Sequence, residues 1–332
     1  MNDKPKVAIA CQGGGSHAAF AAGVLGELLS PEYRERFEIV ALTGTSGGAV
    51  CAALAWAGLI SGGADDARRR LFGFWRDLEA HDPLDAAMNY WAVQLAGLPI
   101  TAEISPYSYG PVAEPKLRDL LRSHLKLEDL PKASESRTHP SLILGATEIL
   151  TGERTVFDGI DLTCDMVIAS AAIPPLFRAV EIGDKRYWDG LFASNPPIRE
   201  LTDLPNKPTE IWVVQINPQK RPEEPFSIRD INDRRNELAG NLSLAQELYF
   251  IHKINKLIAK HEELAKKENY QLMQIRVVEL GLPDLDYLSI LDRSPQLIRD
   301  LMKNGAELAE CFFKECSFWP RKDSLPAKSV TI

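Results

Sequence analysis

The sequence predicts an α/β fold in which helices pack against a mainly parallel sheet. Short apolar runs rich in β-branched residues alternate with longer helical segments along most of the 332 residues. Two glycine-rich turns, at 12–15 and 44–48, each follow one of the first two apolar runs and precede a helical segment. Strand–turn–helix units of this kind are typical of a layered fold with neighbouring parallel strands.

Each element is predicted from local composition and from the turn residues that bound it. Strands are expected at 7–11, 37–42, 141–150, 154–157, 210–218 and 273–280, with a β-hairpin at 179–190 turning at Gly183 and Asp184. Helices are expected at 17–29, 49–60, 64–98, 165–177, 228–267 and 294–313.

Prolines and glycines set several of these boundaries. The helix at 165–177 must stop at the double proline 174–175, and the helix at 228–267 is expected to break near Gly240 and Asn241. Pro295 fits the first position of the last helix, after Ser294 as N-cap. Because the late strands fit the same sheet, a single domain is predicted over 1–319, with its motifs at 11–190 and elements at 226–319 completing the fold. Residues 320–332 are expected to form a loose polar tail.

Composition excludes several classes of protein. The net charge of −8 argues against a nucleic-acid binder, which usually carries a basic face. The five cysteines form no CxxC pair and no Cys/His cluster, so we expect reduced thiols and neither a disulfide framework nor a zinc site. No signal-peptide pattern precedes the first strand, and the longest apolar run, 49–60, is too short to span a bilayer. A cytoplasmic protein is expected.

The pentapeptide Gly44-Thr45-Ser46-Gly47-Gly48 matches G-x-S-x-G between a predicted strand and a predicted helix. This context indicates a nucleophile elbow, a sharp turn that exposes a serine hydroxyl. Any side chain at 44 or 48 is expected to collide with a neighbouring element, and the helix N-terminus would favour negative charge near the hydroxyl. The alternative is a glycine-rich turn with an incidental serine.

A second cluster, Gly13-Gly14-Gly15, follows the first predicted strand and opens the first helix. If Ser46 attacks a carbonyl, backbone N–H groups of this loop can form the oxyanion hole. A nucleotide-phosphate loop is the competing interpretation. It is disfavoured because G-x-x-x-x-G-K-[ST] is absent and G-x-G-x-x-G fails at Ala18.

A serine nucleophile needs a base to accept its proton. The histidines are His17, His81, His124, His139, His252 and His261. None follows a strand late in the chain, where an α/β-hydrolase would place its triad histidine, so surface or capping roles are favoured. Asp189 ends a predicted strand after Tyr187 and Trp188, where a carboxylate could be held dry enough to accept a proton. A hairpin-terminating Asp-Gly turn is the alternative.

Taken together, "GGGSHAAFAAGVL", "GTSGG", "SAAIPPLF" and "YWDGLFASNPP" resemble the patatin-like phospholipases over about 7–313. The resemblance implies a three-layer α/β/α patatin-like fold with a mainly parallel central sheet, and a Ser-Asp dyad that needs no metal or other cofactor. It assigns Ser46 as nucleophile, Asp189 as base, Gly13, Gly14 and Gly15 as oxyanion donors, Gly44, Gly47 and Gly48 as elbow glycines, and Gly190 as motif glycine. The chain departs from the family pattern at His17, Ala18 and Leu191, and His17 weakens the case for a fixed cation beside the oxyanion.

Three functions follow from the resemblance. The first is a serine hydrolase of phospholipids, lysophospholipids or other lipid acyl esters, acting through an acyl-serine intermediate. The second is an acyltransferase of related fold that uses the same serine, and the third is a non-catalytic lipid-binding protein. The intact Ser46, Asp189 and triple glycine favour the first.

The aromatic segment 72–112 allows two interpretations. It is either a buried helical layer or a cap that lines an acyl-chain pocket and admits lipid from a membrane surface. No basic face marks a membrane-docking site, so we expect any contact with a membrane surface to be transient.

Overall fold

The computed structural model describes residues 4–96, 105–108, 113–130, 139–174, 176–267, 269–282, 285–315 and 318–319. The predicted tail at 320–332 lies outside these residues, as does Tyr109 of the aromatic segment. Cys11, Cys51, Cys164 and Cys311 are free thiols, and Cys316 lies outside the described part of the chain.

The described strands form one nine-stranded sheet. The strands are β1 (Lys6–Cys11), β2 (Glu38–Gly44), β3 (Ser141–Glu148), β4 (Arg154–Asp158), β5 (Val180–Ile182), β6 (Lys185–Asp189), β7 (Glu210–Gln215), β8 (Gln274–Glu279) and β9 (Phe318–Trp319). Their order is β5-β6-β3-β2-β1-β7-β8-β9, with β4 paired to β3 outside this path. The five neighbouring strands β3-β2-β1-β7-β8 at the centre of the sheet are parallel. The antiparallel pairings involve β4, β5, β6 and β9.

Helices cover both faces of the sheet. They are α1 (Ala19–Leu28), α2 (Gly47–Leu78), α3 (Pro83–Ala96), α4 (Ala113–Leu125), α5 (Cys164–Ser170), α6 (Ile228–Lys260), α7 (Glu262–Lys267) and α8 (Pro295–Glu315). Short 3₁₀ turns at Gly15–Ala18 and Tyr287–Leu291 matter for the site described below.

Alternation along β1 divides the core into two layers, since successive side chains of a strand point to opposite faces. Val7, Ile9 and Cys11 belong to the apolar cluster that contains buried residues of α1, α2 and α8. Ala8 and Ala10 belong to a second cluster with Leu244, Leu248 and Ile251 of α6. The predicted three-layer α/β/α fold with a mainly parallel sheet is therefore confirmed.

Three helix predictions need correction. The long helix does not break near Gly240; α6 continues to Lys260, and the interruption falls at His261, before α7. A Cβ atom at position 240 would lie 2.5 Å from Asn217 Nδ2, so this glycine permits close packing and does not end the helix. α5 ends at Ser170, well before the prolines at 174–175. The segment 64–98 is divided between the end of α2 and α3.

Among the described helices, α2 is the one whose length and apolar composition would allow it to cross a membrane. It is 32 residues long and so extends well beyond the apolar run at 49–60. Its helical path is interrupted at Gly63, where φ is 76°. Because 72% of its apolar window is buried inside the protein, α2 fits the description of a core helix of this fold.

Glu247 of α6 ties the segment at 198–199, which follows the Asp-Gly motif, to the helix layer. Its carboxylate is 1% exposed and accepts hydrogen bonds from the Arg199 N–H at 2.7 Å and the Ile198 N–H at 3.3 Å. Arg199 Nε donates to the other oxygen at 3.0 Å, and Arg154 lies 3.4 Å from it. A buried charge satisfied in this way is costly to remove, because its partners remain behind without it.

We expect Glu247→Ala to destabilise the protein by about 3 kcal/mol, because two backbone N–H groups lose their acceptor. Urea unfolding followed by circular dichroism measures the change. The neighbouring exposed Gln246→Ala is the matched control and should change the free energy of unfolding by less than about 0.5 kcal/mol. Equal effects of the two substitutions would contradict this role for Glu247.

Candidate active site

Ser46 lies on a strained turn between β2, which ends at Gly44, and α2, which begins at Gly47. Its backbone has φ 57° and ψ −132°, a conformation that non-glycine residues rarely adopt and that costs on the order of 1–3 kcal/mol. The turn is held in place by the Ser46 N–H, which donates to the Ser170 carbonyl at 3.0 Å. The neighbouring Thr45 hydroxyl donates to the Ser194 carbonyl at 2.7 Å.

The glycines of this turn are required by close backbone packing. A Cβ atom at Gly48 would lie 2.3 Å from the Cys11 carbonyl oxygen, and one at Gly44 would lie 2.5 Å from the Gly48 carbonyl oxygen. These are the collisions expected from the sequence. Gly47 is equally confined, since its Cβ would lie 2.6 Å from the Cβ of Ala18.

The glycine loop at 13–15 lies directly against this turn, because a Cβ atom at Gly13 would be 2.7 Å from the Cβ of Ser46. The Gly13 N–H, however, already donates to Asn195 Oδ1 at 2.7 Å in a buried hydrogen bond. The Gly13 N–H is therefore already engaged in this structure, and the oxyanion role predicted for it would need this hydrogen bond to be exchanged. Within the described part of the chain, the Gly14 and Gly15 N–H groups donate to no protein acceptor.

A buried cluster of amide side chains supports the glycine loop from below. Gln12 Oε1 accepts from the N–H groups of Ile216 and Asn217, both at 2.8 Å, and its Nε2 donates to Asn241 Oδ1 at 2.9 Å. Asn195 Nδ2 donates to the Gly240 carbonyl at 3.2 Å. Satisfied networks of this kind make a buried region rigid, so the loop is fixed to β7 and α6.

Asp189 ends β6 at the same edge of the sheet as the serine turn. It pairs with Ala146 of β3, and Leu144 of β3 pairs with Gly44 of β2. The carboxyl group is fully buried, and its Oδ1 accepts from the Leu191 N–H at 2.8 Å. Burial raises the pKa of Asp189 to about 7, against smaller lowering effects from the Leu191 N–H and the Ser46 hydroxyl.

The second carboxylate oxygen, Oδ2, is buried, and no described residue gives it a hydrogen bond of regular geometry. The Ser46 hydroxyl is nevertheless close enough to lower the pKa of this carboxyl group. We regard the two as neighbouring groups with an incompletely formed hydrogen bond, a common state of unliganded sites. Oδ2 is thus the oxygen open to a new proton.

Ser46 and Asp189 share the wall of one cavity of about 470 Å³, a size typical of small-molecule sites. Gly14 and Gly15 reach the same cavity. Its apolar lining includes Val50, Phe74, Trp75, Leu78, Leu117 and Phe177. The aromatic segment is divided: Phe74 and Trp75 are buried in the core and also line the cavity, whereas Tyr90, Trp91 and Tyr107 are exposed.

His17 is a neutral, buried part of the glycine loop. Its side chain is 7% exposed, and its Nε2 lies 2.7 Å from the Ser289 hydroxyl of the Tyr287–Leu291 turn. Burial lowers the pKa of His17 to about 4, and Asp292 opposes this shift only weakly. The departure from a basic residue at this position therefore gives the loop a hydrogen-bonded anchor in place of a cation.

The remaining histidines lie away from the cavity. His81, His124 and His139 are on other loops or helices, and His252 and His261 lie on or just after α6.

Asn195 is a site residue that the sequence analysis does not identify, although it follows the Asp-Gly motif within "LFASNPP". Within the described residues, no group of three His, Cys, Asp or Glu side chains is arranged to hold a metal ion.

The lowered pKa of His17 makes the fold sensitive to acid. The unfolded chain binds this proton near pH 6.5 and the folded chain only near pH 4, so the contribution of His17 to stability falls by roughly 3 kcal/mol as pH drops through that window. We expect His17→Gln to flatten this part of the profile of unfolding free energy against pH. Urea unfolding at several pH values tests it, with the exposed His81→Gln as control. An unchanged slope in His17→Gln would contradict the assignment.

The sequence model of the family described as Patatin-like phospholipase matches residues 9–202, more than half of the chain. The matched region contains the serine turn, the glycine loop, Asp189 and Asn195. A comparison with curated protein sequences found no match.

Solved structures with similar folds are more distant. VipD from Legionella pneumophila is 14% identical with a TM-score of 0.43, covering 94% of this chain and 67% of VipD. The type III effector protein ExoU is 13% identical with a TM-score of 0.39, covering 94% of this chain and 53% of ExoU. The chain thus spans about two thirds of VipD and about half of ExoU, and the family assignment rests on the sequence match. This chain belongs to the patatin-like phospholipase family.

Proposed function

We propose that the chain is a serine lipid acyl hydrolase that uses Ser46 as nucleophile and Asp189 as base. Membership of the family supports action on lipid acyl esters in general. The observation that carries the finer assignment is the meeting of a strained Ser46 and a buried Asp189 in the wall of one apolar cavity. Both placements cost free energy, because Ser46 is held at a positive φ and Asp189 is fully buried with no cation paired to it among the described residues.

In the first half of the reaction, Ser46 Oγ attacks the ester carbonyl carbon while its proton passes to Asp189 Oδ2. Oδ1 is already engaged by the Leu191 N–H, which fixes the carboxylate orientation. The developing oxyanion accepts hydrogen bonds from the N–H groups of Gly14 and Gly15, two residues that line the cavity. Collapse of the tetrahedral intermediate expels the alcohol, which takes the proton from Asp189 and leaves an acyl-serine.

In the second half, water attacks the acyl-serine carbonyl and Asp189 accepts a proton from that water. The second tetrahedral intermediate breaks the bond to Ser46 Oγ, and the serine regains its proton from Asp189. The fatty acid then leaves the apolar cavity. The pKa of about 7 suits Asp189 to both directions of proton transfer near neutral pH.

The principal test is covalent labelling and turnover. We expect a long-chain fluorophosphonate to label wild-type protein at Ser46, and Ser46→Ala to lose label and turnover of a p-nitrophenyl acyl ester. Asp189→Asn should lower kcat roughly 10²- to 10⁴-fold, because the base is lost while the site keeps its shape. Asp184→Asn, an exposed carboxylate in the adjacent hairpin turn, is the matched control and should keep wild-type kcat.

Two outcomes would redirect the proposal. If Ser46 labels but ester turnover is negligible, an acyltransferase that awaits its acceptor becomes the better description. If folded wild-type protein does not label at Ser46, the chain is not a serine hydrolase.

The raised pKa of Asp189 predicts the pH dependence of the reaction. The base works only when deprotonated, so kcat/KM should rise with pH and reach half its plateau near pH 7. The same shift stabilises the protonated folded state, so this contribution to stability is lost as pH rises through about 7. A pH profile with a soluble ester measures the midpoint, and a midpoint near pH 4 would contradict the raised pKa of Asp189. Residual turnover of Asp189→Asn that kept the wild-type pH profile would show that Asp189 is not the base.

A further inference from the structure

The helix α3 exposes its large apolar side chains and turns polar side chains toward the protein. Leu84, Met88 and Trp91 follow an i, i+4, i+7 spacing, which places them on one face, here called the α3 face. Their exposed fractions are 71%, 51% and 60%, and Tyr90 beside Trp91 is 58% exposed. Exposed apolar surface of this kind is uncommon on a soluble protein unless something covers it.

Polar side chains hold the opposite side of α3 to the protein. Asp85 pairs with Arg293 at 2.6 Å and with Lys116 at 2.6 Å, and Arg293 lowers the pKa of Asp85 to about 2. Asn89 Nδ2 donates to Asp292 Oδ1 at 2.6 Å, and its Oδ1 accepts from the Arg293 N–H at 2.9 Å. The helix is therefore held in place with its apolar face outward.

The α3 face is continuous with the cavity that contains Ser46. Met88 belongs to both, and Ala92, one turn further along the helix, also lines the cavity. Leu176 lines the cavity as well and is 42% exposed. Met88, Ala92 and Leu176 thus give the cavity an apolar margin toward the α3 face, beside the polar groups of Asp85, Asn89, Lys116 and Arg293 that also line it. An acyl chain leaving a lipid layer could follow this apolar margin.

Charge favours one kind of surface. Asp85 is the one charged residue in the α3 sequence PLDAAMNYWAVQLA, and it is neutralised by Arg293 and Lys116. A helix without basic residues gains nothing from anionic lipid, whereas exposed leucine, methionine and tryptophan insert into the boundary between headgroups and acyl chains. Tryptophan in particular favours this interface, because its ring is apolar and its N–H is polar.

We propose that the α3 face docks onto the surface of a zwitterionic lipid layer and opens the cavity toward it. Docking would insert Leu84, Met88 and Trp91 among the lipids while Asp85 and Asn89 keep the helix attached to the protein. The proposal rests on the proposed function, since that function makes the docked lipid the source of substrate. It deepens that function by naming the surface through which substrate enters.

The test measures binding to phosphatidylcholine vesicles by co-sedimentation. The 332-residue chain carrying Ser46→Ala is used so that the vesicles are not hydrolysed. Leu84→Ser combined with Trp91→Ser should lower the partition coefficient at least tenfold. Leu242→Ser combined with Tyr249→Ser is the matched control, because these α6 side chains are exposed to similar extents, 61% and 58%, and lie on another helix. Binding of the unaltered face should change less than twofold between 0.05 and 0.5 M NaCl.

Several results would overturn the proposal. Vesicle binding that survives the α3 substitutions, or that falls equally with the α6 substitutions, would show that the α3 face does not dock. A steep loss of binding with salt would indicate electrostatic attachment elsewhere. A dimer abolished by the α3 substitutions, together with unchanged vesicle binding, would identify the face as a self-association surface.

The outcome is separable from the proposed function, because vesicle binding of the Ser46→Ala protein needs no turnover. Wild-type protein that binds vesicles but hydrolyses no soluble ester would contradict the hydrolase and leave the docking surface intact. If wild-type protein hydrolyses soluble ester while the α3 substitutions leave vesicle binding unchanged, the hydrolase is supported and the docking surface is contradicted.

Discussion

The close packing of two backbone turns at the carboxyl ends of β1 and β2 is the constraint on which the site depends. The Gly48 backbone presses against the Cys11 carbonyl, and Gly13 presses against the Cβ of Ser46. Such distances leave no room for a side chain, so the loop and the serine turn can occupy only one relative position. The position of Asp189 relative to this contact is set by strand pairing, because β6 pairs with β3 and β3 pairs with β2.

Two opposite uses of burial give this site its chemistry. Asp189 is buried without a cation, so its proton affinity rises to the range where it can exchange protons near neutral pH. His17 is buried beside a hydroxyl, so its proton affinity falls and it acts as a neutral anchor. The same physical effect, loss of hydration, thus prepares an acid for proton exchange and removes a histidine from it.

Local sequence patterns predicted the elements on which Ser46 and Asp189 lie. The strand, turn and helix around Ser46 and the hairpin that ends at Asp189 are short-range signals, and the structure places both residues where those signals put them. The engagement of Gly13 by Asn195 could not be predicted, because the partners are 182 residues apart. The predicted break of α6 near Gly240 was wrong for a similar reason. The close approach of Asn217, which helix propensity does not report, explains why a glycine stands at this position. At Gly13 and at Gly240, contacts between separate segments of the chain carry the information that local patterns lack.

The amide cluster beneath the glycine loop joins the first strand to a helix more than two hundred residues later. Gln12 and Asn241 are 229 residues apart in the chain. A ribosome releases these groups at very different times, so the loop waits for its partners until α6 has emerged. A nascent chain that ends near residue 202 already carries Ser46 and Asp189, yet the buried amides of Gln12 and Asn195 lack their acceptors on α6. Synthesis order thus delays assembly of the proposed site until α6 has been made.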